Sequence, residues 1–192
     1  THFREPGFEF KENLISGASS AFSGGYTRVC TMPNTDPVVD NPELVSFIVS
    51  KSKDLPVHIY PIGAITKGQK GNELAEIGMM VDAGAIAISD DGIPVSNSQI
   101  LRMALEYSKK FNIPVINHAE DLSLTNNALM HEGLNSLKLG LSGSPDITES
   151  IMVYRDLSIA KYSSGKIHVP HVSSKKTVEI IKTFKNEKLK VS

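Results

Sequence analysis

Three features are scarce in this sequence, and each scarcity excludes a class of protein. The 192 residues contain one cysteine, Cys30, which excludes an internal disulfide framework and favours a reducing, cytoplasmic compartment. The net charge of −1 gives no support for binding to nucleic acid or to an anionic membrane. The longest apolar runs, such as GAIAI and IPVI, fall far short of the roughly 20 residues that span a bilayer. With 40% hydrophobic and 21% charged residues, the chain has the composition of a globular domain with one core.

Glycine motifs for nucleotide phosphates are also absent, since no GxGxxG or Walker loop follows an apolar run. Extended apolar segments instead alternate with helical ones. The spacing predicts strands at 26–32, 57–65, 85–89, 113–118 and 166–172, and helices at 41–53, 71–84, 96–111, 146–163 and 174–187. This alternation predicts parallel β/α units, arranged either as a doubly wound sheet or as a (β/α)8 barrel.

Two helix starts show capping signals, and one segment interrupts the alternation. Asn41 precedes Pro42 as a plausible N-cap, and Asp146 with Glu149 has the pattern of a capping box. Residues 122–145 are longer than the other connections and rich in Gly, Ser and Asn. We expect them to form an elaborated connection near the functional site.

Polar side chains follow one predicted strand after another. In a barrel the carboxyl ends of the strands meet at one mouth, where function lies. A metal site needs His and Asp ligands from different directions, which strand ends supply. The residues at these positions are His2, Arg4, Asn34, Asp91, His118 and His171.

Each of these residues also has a plainer interpretation when taken alone. Asn34 could form an Asx-turn, and the Asp-Asp-Gly stretch that contains Asp91 could be an ordinary turn. His168 shares a strand with His171, so one of them could be a ligand and the other a core residue. We expect His58 to pack against the core and His131 to lie on the surface. The joint occurrence at successive strand ends nevertheless favours a site.

The motifs HxREPG, GGYTxVxxMPNTxP, SDDG, NHAED and HVxHVS closely resemble the type I dihydroorotases, which belong to the amidohydrolase superfamily of metal-dependent hydrolases. The resemblance runs from His2 to about Ser174. It implies an α/β fold, a distorted (β/α)8 TIM-like barrel of which about strands 1–7 lie in this chain. Residues 1–192 would then be a partial catalytic barrel domain. The start of strand one, with the first histidine of a His-x-His pair around Thr1, and the whole of strand eight are expected outside it.

The resemblance implies one or two zinc ions and a role for each candidate ligand. His2 matches a ligand of the more buried metal, and His118 and His171 match ligands of the second metal. Asp91 matches the carboxylate that contacts both metals, and we therefore assign it as a catalytic residue. The general-base Asp of the family follows strand eight and is expected outside the chain.

The implied reaction is the zinc-dependent, reversible cyclisation of N-carbamoyl-L-aspartate to dihydroorotate in de novo pyrimidine (UMP) biosynthesis. Arg4 and Asn34 match residues that hold the carboxylate of the substrate. A guanidinium presents a fork of N–H donors that suits a carboxylate, which agrees with this role. The resemblance further implies a homodimer, with aspartate carbamoyltransferase as a further candidate partner.

Two alternatives remain open at this point. Hydantoinases and allantoinases are similar, but they use a carboxylated lysine at strand four, whereas residues 85–92 contain Asp and no Lys. Some dihydroorotase-like proteins have lost metal ligands and serve as non-catalytic partners of aspartate carbamoyltransferase. Every ligand position within this chain is intact, which favours the enzyme.

Overall fold

The computed structural model describes residues 1–125 and 127–192. Its strands are β1 (Arg28–Thr31), β2 (His58–Pro61), β3 (Ile88–Ser89), β4 (Val115–Ile116), β5 (Met130–His131), β6 (Gly143–Ser144) and β7 (Ile167–His168). All pairs between these strands are parallel: β1 with β2, β3 with β4, β4 with β7, and β5 with β6. A parallel bridge between Gly63 and Ile88 joins the pair of β1 and β2 to the group of β3, β4 and β7, and these five strands form the main sheet.

Backbone from both ends of the chain continues this sheet. The backbone N–H of Met32 donates to the carbonyl oxygen of Thr1 at 2.9 Å, so the first residues lie beside β1. At the other side, Val191 forms a parallel bridge with Ile167 of β7. Across the main sheet the strands therefore follow one another in chain order, which is the strand order of a β/α barrel.

The helices connect these strands and cover the sheet. Helix α4 packs against β4 and α7, and α7 packs against α8. On α4 the apolar face of Leu101, Ala104 and Leu105 is fully buried, as expected for an amphipathic helix. None of the described helices is both long and apolar enough to cross a membrane. The helices are α1 (Leu14–Ser23), α2 (Pro42–Lys51), α3 (Ile77–Asp82), α4 (Ser98–Ser108), α5 (Leu122–Thr125), α6 (Leu134–Leu139), α7 (Ile147–Ser163) and α8 (Lys175–Asn186).

The order of elements predicted from the sequence is confirmed, although their bounds are shorter. The strands pair through as few as two residues, and the helix predicted at 71–84 begins only at Ile77. Helix α1 was not predicted, because its sequence LISGASSAFS is rich in Ser, Gly and Ala and gives a weak apolar pattern. Segment 122–145, predicted as an elaborated connection, contains α5, β5, α6 and β6 among its described residues.

Local predictions had mixed outcomes. Asn41 caps α2 as predicted, accepting a hydrogen bond from the Leu44 N–H at 3.1 Å. The capping box at α7 is wrong: among the described residues, no N–H of its first turn donates to the Asp146 side chain. The prediction that His58 packs is also wrong, because alternation along β2 turns it outward and Ile59 inward. His131 is exposed, as predicted.

The loop that carries Arg4 is fixed from three sides. The buried Glu5 carboxylate accepts a hydrogen bond from the Leu14 N–H at 2.8 Å, at the start of α1, and pairs with Lys51 at the end of α2. The Asp36 N–H donates to the Pro6 carbonyl at 3.1 Å, which ties this loop to the one that follows β1. These contacts hold two strand-end loops together.

Gly7 allows this contact between the two loops. Its φ is +94°, and a Cβ built on it would lie 2.0 Å from the carbonyl oxygen of Asp36. Gly7→Ala should therefore lower the free energy of unfolding by about 2–5 kcal/mol, from left-handed strain and forced separation of the loops.

Gly25→Ala is the matched control. Gly25 has a φ of +79°, and no described atom lies within 4 Å of the position of an added Cβ. Only the left-handed penalty of about 1–2 kcal/mol is expected there. Denaturant unfolding of both variants of the full-length protein measures the difference, and equal losses would contradict the close approach.

Candidate metal centre

Three neighbouring strands end at the same edge of the sheet and place Asp91, His118 and His171 there. In the parallel register Ser89 of β3 lies opposite Ile116 of β4, and Ile116 lies opposite His168 of β7. Asp91, His118 and His171 follow these strands directly. The edge is therefore the carboxyl end of the strands, as the sequence predicted.

The three side chains converge on one point. His171 Nε2 lies 3.6 Å and His118 Nδ1 lies 3.8 Å from Oδ1 of Asp91. The two imidazole nitrogens face each other at 3.2 Å, and one ligand atom from each of the three residues falls within 4.8 Å of the others. On the other side of the carboxylate, His2 Nε2 lies 3.2 Å from Oδ2 of Asp91. The four side chains predicted as metal ligands thus meet around one carboxylate.

The charges at this point favour a cation. The Asp91 side chain is 7% exposed, and the His118 imidazole beside it lowers the pKa of its carboxyl. His2 and His171 act in the same direction, while burial opposes them. The Asp91 carboxylate in turn raises the pKa of His118. Asp91 is therefore kept ionised, and positive charge is stabilised beside it.

The donor set fits a metal ion. One ionised carboxylate and three imidazoles are ligands that zinc and related divalent metals accept. His118 Nδ1 and His171 Nε2 face each other at 3.2 Å. Their lone pairs repel each other unless a proton or a metal cation lies between them. The residues that would hold the metal are His2, Asp91, His118 and His171.

Two neighbours set which nitrogen of each imidazole faces Asp91. The His2 Nδ1 lies 3.0 Å from the Asn34 Oδ1, and because an amide oxygen only accepts, Nδ1 carries the proton. The His118 Nε2 lies 3.2 Å from the Glu120 Oε2 and donates to it in the same way. His2 Nε2 and His118 Nδ1 are then left with lone pairs directed toward the centre. Asn34 and Glu120 therefore orient two of the imidazoles.

The two residues predicted to bind substrate lie near this centre in different ways. Asn34 contacts His2 directly, a contact that the sequence did not indicate. Arg4 is half-buried, and its backbone has a φ of 55° within the anchored loop. A non-glycine residue adopts this conformation only where its surroundings hold it. Their roles toward a substrate stay predictions.

Sequence reasoning missed part of the site's support. Asp90 is buried, which raises its pKa, and accepts hydrogen bonds from Thr66 and from the Ile65 N–H, so it anchors the loop after β2 and not the metal centre.

The contact of Glu120 with His118 was also missed. Glu120 follows His118 by two positions in NHAED, and that spacing was the available signal. Of the two histidines predicted on one strand, only His168 lies on β7, half-buried and with its Nδ1 3.0 Å from the Ser192 Oγ. His171 lies beyond β7 and reaches Asp91.

A cavity of about 350 Å³ opens beside the centre. His118 and His171 form one wall, and Leu129, Met130 and His131 from segment 122–145 form another. The position of this segment near the site agrees with the sequence prediction. The cavity is large enough for a small polar molecule next to the candidate metal ligands.

Known proteins resemble this chain over its whole length. A family model described as dihydro-orotase-like matches residues 1–177. The chain is 50% identical over 192 residues to a dihydroorotase of Acetivibrio thermocellus and 46% identical to one of Ruminiclostridium cellulolyticum. Each match covers 100% of this chain and 45% of the relative, so the chain spans less than half the length of these curated relatives.

Solved structures give a more distant likeness. An L-hydantoinase (dihydropyrimidinase) from Arthrobacter aurescens superposes with a TM-score of 0.80 at 18% identity, covering 100% of this chain and 44% of that one. A D-hydantoinase superposes with a TM-score of 0.75 at 16% identity, with the same coverage. At such identities the likeness concerns the fold alone. The likeness in fold confirms the α/β class with parallel strands that the sequence predicted.

The geometry predicts that Asp91 is essential for metal binding. Asp91→Ala should weaken zinc binding by more than about 100-fold, because residues that merely orient ligands are worth 10–100-fold. Zinc content after dialysis and competitive titration of the full-length protein measure this effect. Asp82→Ala, which removes an exposed carboxylate on α3, is the control and should bind as the unaltered protein does. Unchanged zinc affinity in Asp91→Ala would contradict the assignment.

Proposed function

This chain belongs to the dihydroorotase-like family, and from that premise we propose that it forms part of a zinc-dependent dihydroorotase. Such an enzyme interconverts N-carbamoyl-L-aspartate and dihydroorotate in pyrimidine biosynthesis. The observation that carries the proposal is the convergence of His2, His118 and His171 on Asp91 at the carboxyl ends of the strands. The dihydroorotase relatives at 46–50% identity support the choice of reaction.

The residue types fit the chemistry of opening and closing a cyclic amide. When bound, zinc supplies Lewis acidity and lowers the pKa of a coordinated water to about 7. Asp91 stays ionised in its pocket and balances part of the charge of a cation. His2 and His118 direct lone pairs toward the same place, because Asn34 and Glu120 hold their other nitrogens.

A carboxylate on the substrate accounts for the arginine in the first loop. Both dihydroorotate and N-carbamoyl-L-aspartate carry a carboxylate, and a guanidinium offers it two parallel N–H donors. The buried Glu5 and its partner Lys51 fix the loop that bears Arg4, so the guanidinium starts from a defined backbone position. Asn34 completes the proposed anion site while it also contacts His2.

Two observations favour this reading over its alternatives. The structural neighbours are hydantoinases, but the end of β3 carries Asp90 and Asp91, and residues 85–92 contain no lysine that could be carboxylated. A non-catalytic partner of aspartate carbamoyltransferase would have no need of four converging ligands.

The proposal also covers the domain, the location and the partners of the protein. We include residues 1–192 as a partial catalytic domain, which agrees with the 45% coverage of the relatives. A cytoplasmic location agrees with the single cysteine. A homodimer and an association with aspartate carbamoyltransferase rest on the family resemblance.

The reaction is tested on the full-length protein loaded with zinc. Hydrolysis of dihydroorotate should be followed by its ultraviolet absorbance and should cease when a chelator removes the metal. Hydantoin and allantoin serve as comparison substrates and should react far more slowly. Faster turnover of hydantoin than of dihydroorotate would favour the hydantoinase alternative, and no turnover of any of them would refute the enzyme.

Arg4→Ala separates substrate binding from metal binding. It should lower kcat/KM for dihydroorotate about ten- to a hundred-fold, the effect of losing one charged hydrogen bond, and leave the zinc content unchanged. Arg102→Ala is the control, because Arg102 pairs with Glu106 on the exposed side of α4. Steady-state kinetics and metal analysis of both variants give the answer. Loss of zinc from Arg4→Ala would show that the role is misassigned.

A further inference from the structure

Helix α7 carries two acidic side chains that point into the protein, Glu149 and Asp156. They are seven residues apart, two turns of helix, and so lie on the same face. Asp156 is 1% exposed and Glu149 is half-buried. Neither carboxylate touches the candidate metal ligands in the contacts described above, but each is bonded to a segment that carries one of them.

Glu149 holds the segment that follows His171. Its carboxylate accepts hydrogen bonds from the N–H and the hydroxyl of Ser173, at 2.9 and 2.6 Å, and from the N–H of Ser174 at 3.1 Å. His171 itself has a φ of 38°, a left-handed conformation that a residue with a Cβ adopts only where neighbouring contacts impose it. Three bonds directly after His171 supply such a constraint.

Asp156 holds the residue that precedes His118. Its Oδ2 accepts a hydrogen bond from the side-chain amide of Asn117 at 2.7 Å, and Asn117 is 2% exposed. The Asn117 Oδ1 accepts in turn from the Val95 N–H at 3.0 Å, in the segment that follows Asp91. Arg155 bridges the Asp156 Oδ1 and the Val95 carbonyl, at 2.7 and 2.8 Å, through its Nη2. The network therefore joins α7 to two strand-end segments.

The sheet alone does not fix the distance between the two histidines. β4 and β7 pair through only two residues each, and His118 and His171 both lie beyond the last pair. A metal site requires its ligand atoms within a few tenths of an ångström of the right positions. Helix α7 is hydrogen-bonded to both segments and so provides that precision.

We propose that Glu149 and Asp156 are positioning residues through which α7 sets the spacing of His171 and His118, and with it the affinity of the centre for its metal. The inference rests on the proposed function only in that the centre binds a divalent metal. A structural role in the fold would instead stabilise the protein with or without metal.

Glu149→Gln is the first test. An amide keeps one acceptor oxygen but sets an N–H₂ donor against the donors of the Ser173–Ser174 segment. Zinc affinity of the full-length protein should fall about 10–100-fold, the usual effect of removing a group that orients a ligand. The melting temperature of the metal-free protein should fall only slightly, because Ser173 is exposed and water can replace the lost bonds. The absorption spectrum of the cobalt-substituted centre should change, because it reports ligand geometry.

Glu187→Gln is the matched control. Glu187 also pairs with α7, through Lys161 Nζ at 2.8 Å, but at the opposite end of the helix from Glu149. Its loss should leave zinc affinity and the cobalt spectrum unaltered. An equal loss of affinity in both variants would overturn the proposal, because it would show a general effect of loosening α7.

Exchanging the partners of the buried pair gives a second test. Asn117→Asp alone sets two carboxylates against each other, and Asp156→Asn alone sets its N–H₂ group against one of two donors, the Asn117 amide or the Arg155 guanidinium. Both single variants should lower zinc affinity. The double variant restores a donor at 156 and an acceptor at 117, and it keeps the Val95 N–H satisfied. It should recover most of the affinity and the cobalt spectrum of the unaltered protein.

Several outcomes would overturn the proposal. In one, the single variants melt at a lower temperature without metal but keep the zinc affinity and the cobalt spectrum of the unaltered protein. The carboxylates would then stabilise the fold alone. Another is an unaltered protein that binds neither zinc nor cobalt. A protein that binds metal but leaves dihydroorotate intact would refute the proposed function only, because these readouts measure the metal centre and not turnover.

Discussion

The Asp91 carboxylate, buried among three imidazoles, is the interaction on which the rest of the site depends. An ionised carboxylate at 7% exposure is costly unless positive charge stands next to it. His2, His118 and His171 approach it from three different segments, and the His118 imidazole beside it keeps its pKa low. The parallel order of the strands makes this convergence possible, because only parallel neighbours bring successive carboxyl ends to one edge.

The two adjacent aspartates that follow β3 have different roles. β3 ends at Ser89, and Asp91 lies in the turn that follows, so Asp90 and Asp91 face different surroundings. Asp90 accepts two backbone hydrogen bonds from Ile65 and Thr66 and one from the Thr66 hydroxyl, and so it anchors the neighbouring loop. Asp91 is left for the metal centre. A similar division separates His171, which follows β7 and reaches the centre, from His168 at the end of β7.

The sequence predicted those features that depend on neighbours along the chain. Alternating apolar segments gave the order of strands and helices, and polar residues after each strand gave the convergence around Asp91. What it missed depends on partners distant in sequence. Glu149 looked like half of a capping box, because its bonds to Ser173 and Ser174 close a separation of 24 and 25 residues that no local pattern shows. Helix α1 escaped notice because its Ser- and Ala-rich sequence has little apolar periodicity.

Anomalous diffraction at the zinc absorption edge from crystals of the full-length protein tests the central claim most directly. We expect a peak between Asp91, His118 and His171, with metal–ligand distances of about 2.0–2.2 Å. A second peak, if two metals bind, should lie on the His2 side of the same carboxylate. A zinc peak bound by other residues, with Asp91 and the three histidines left out of its coordination, would contradict the account.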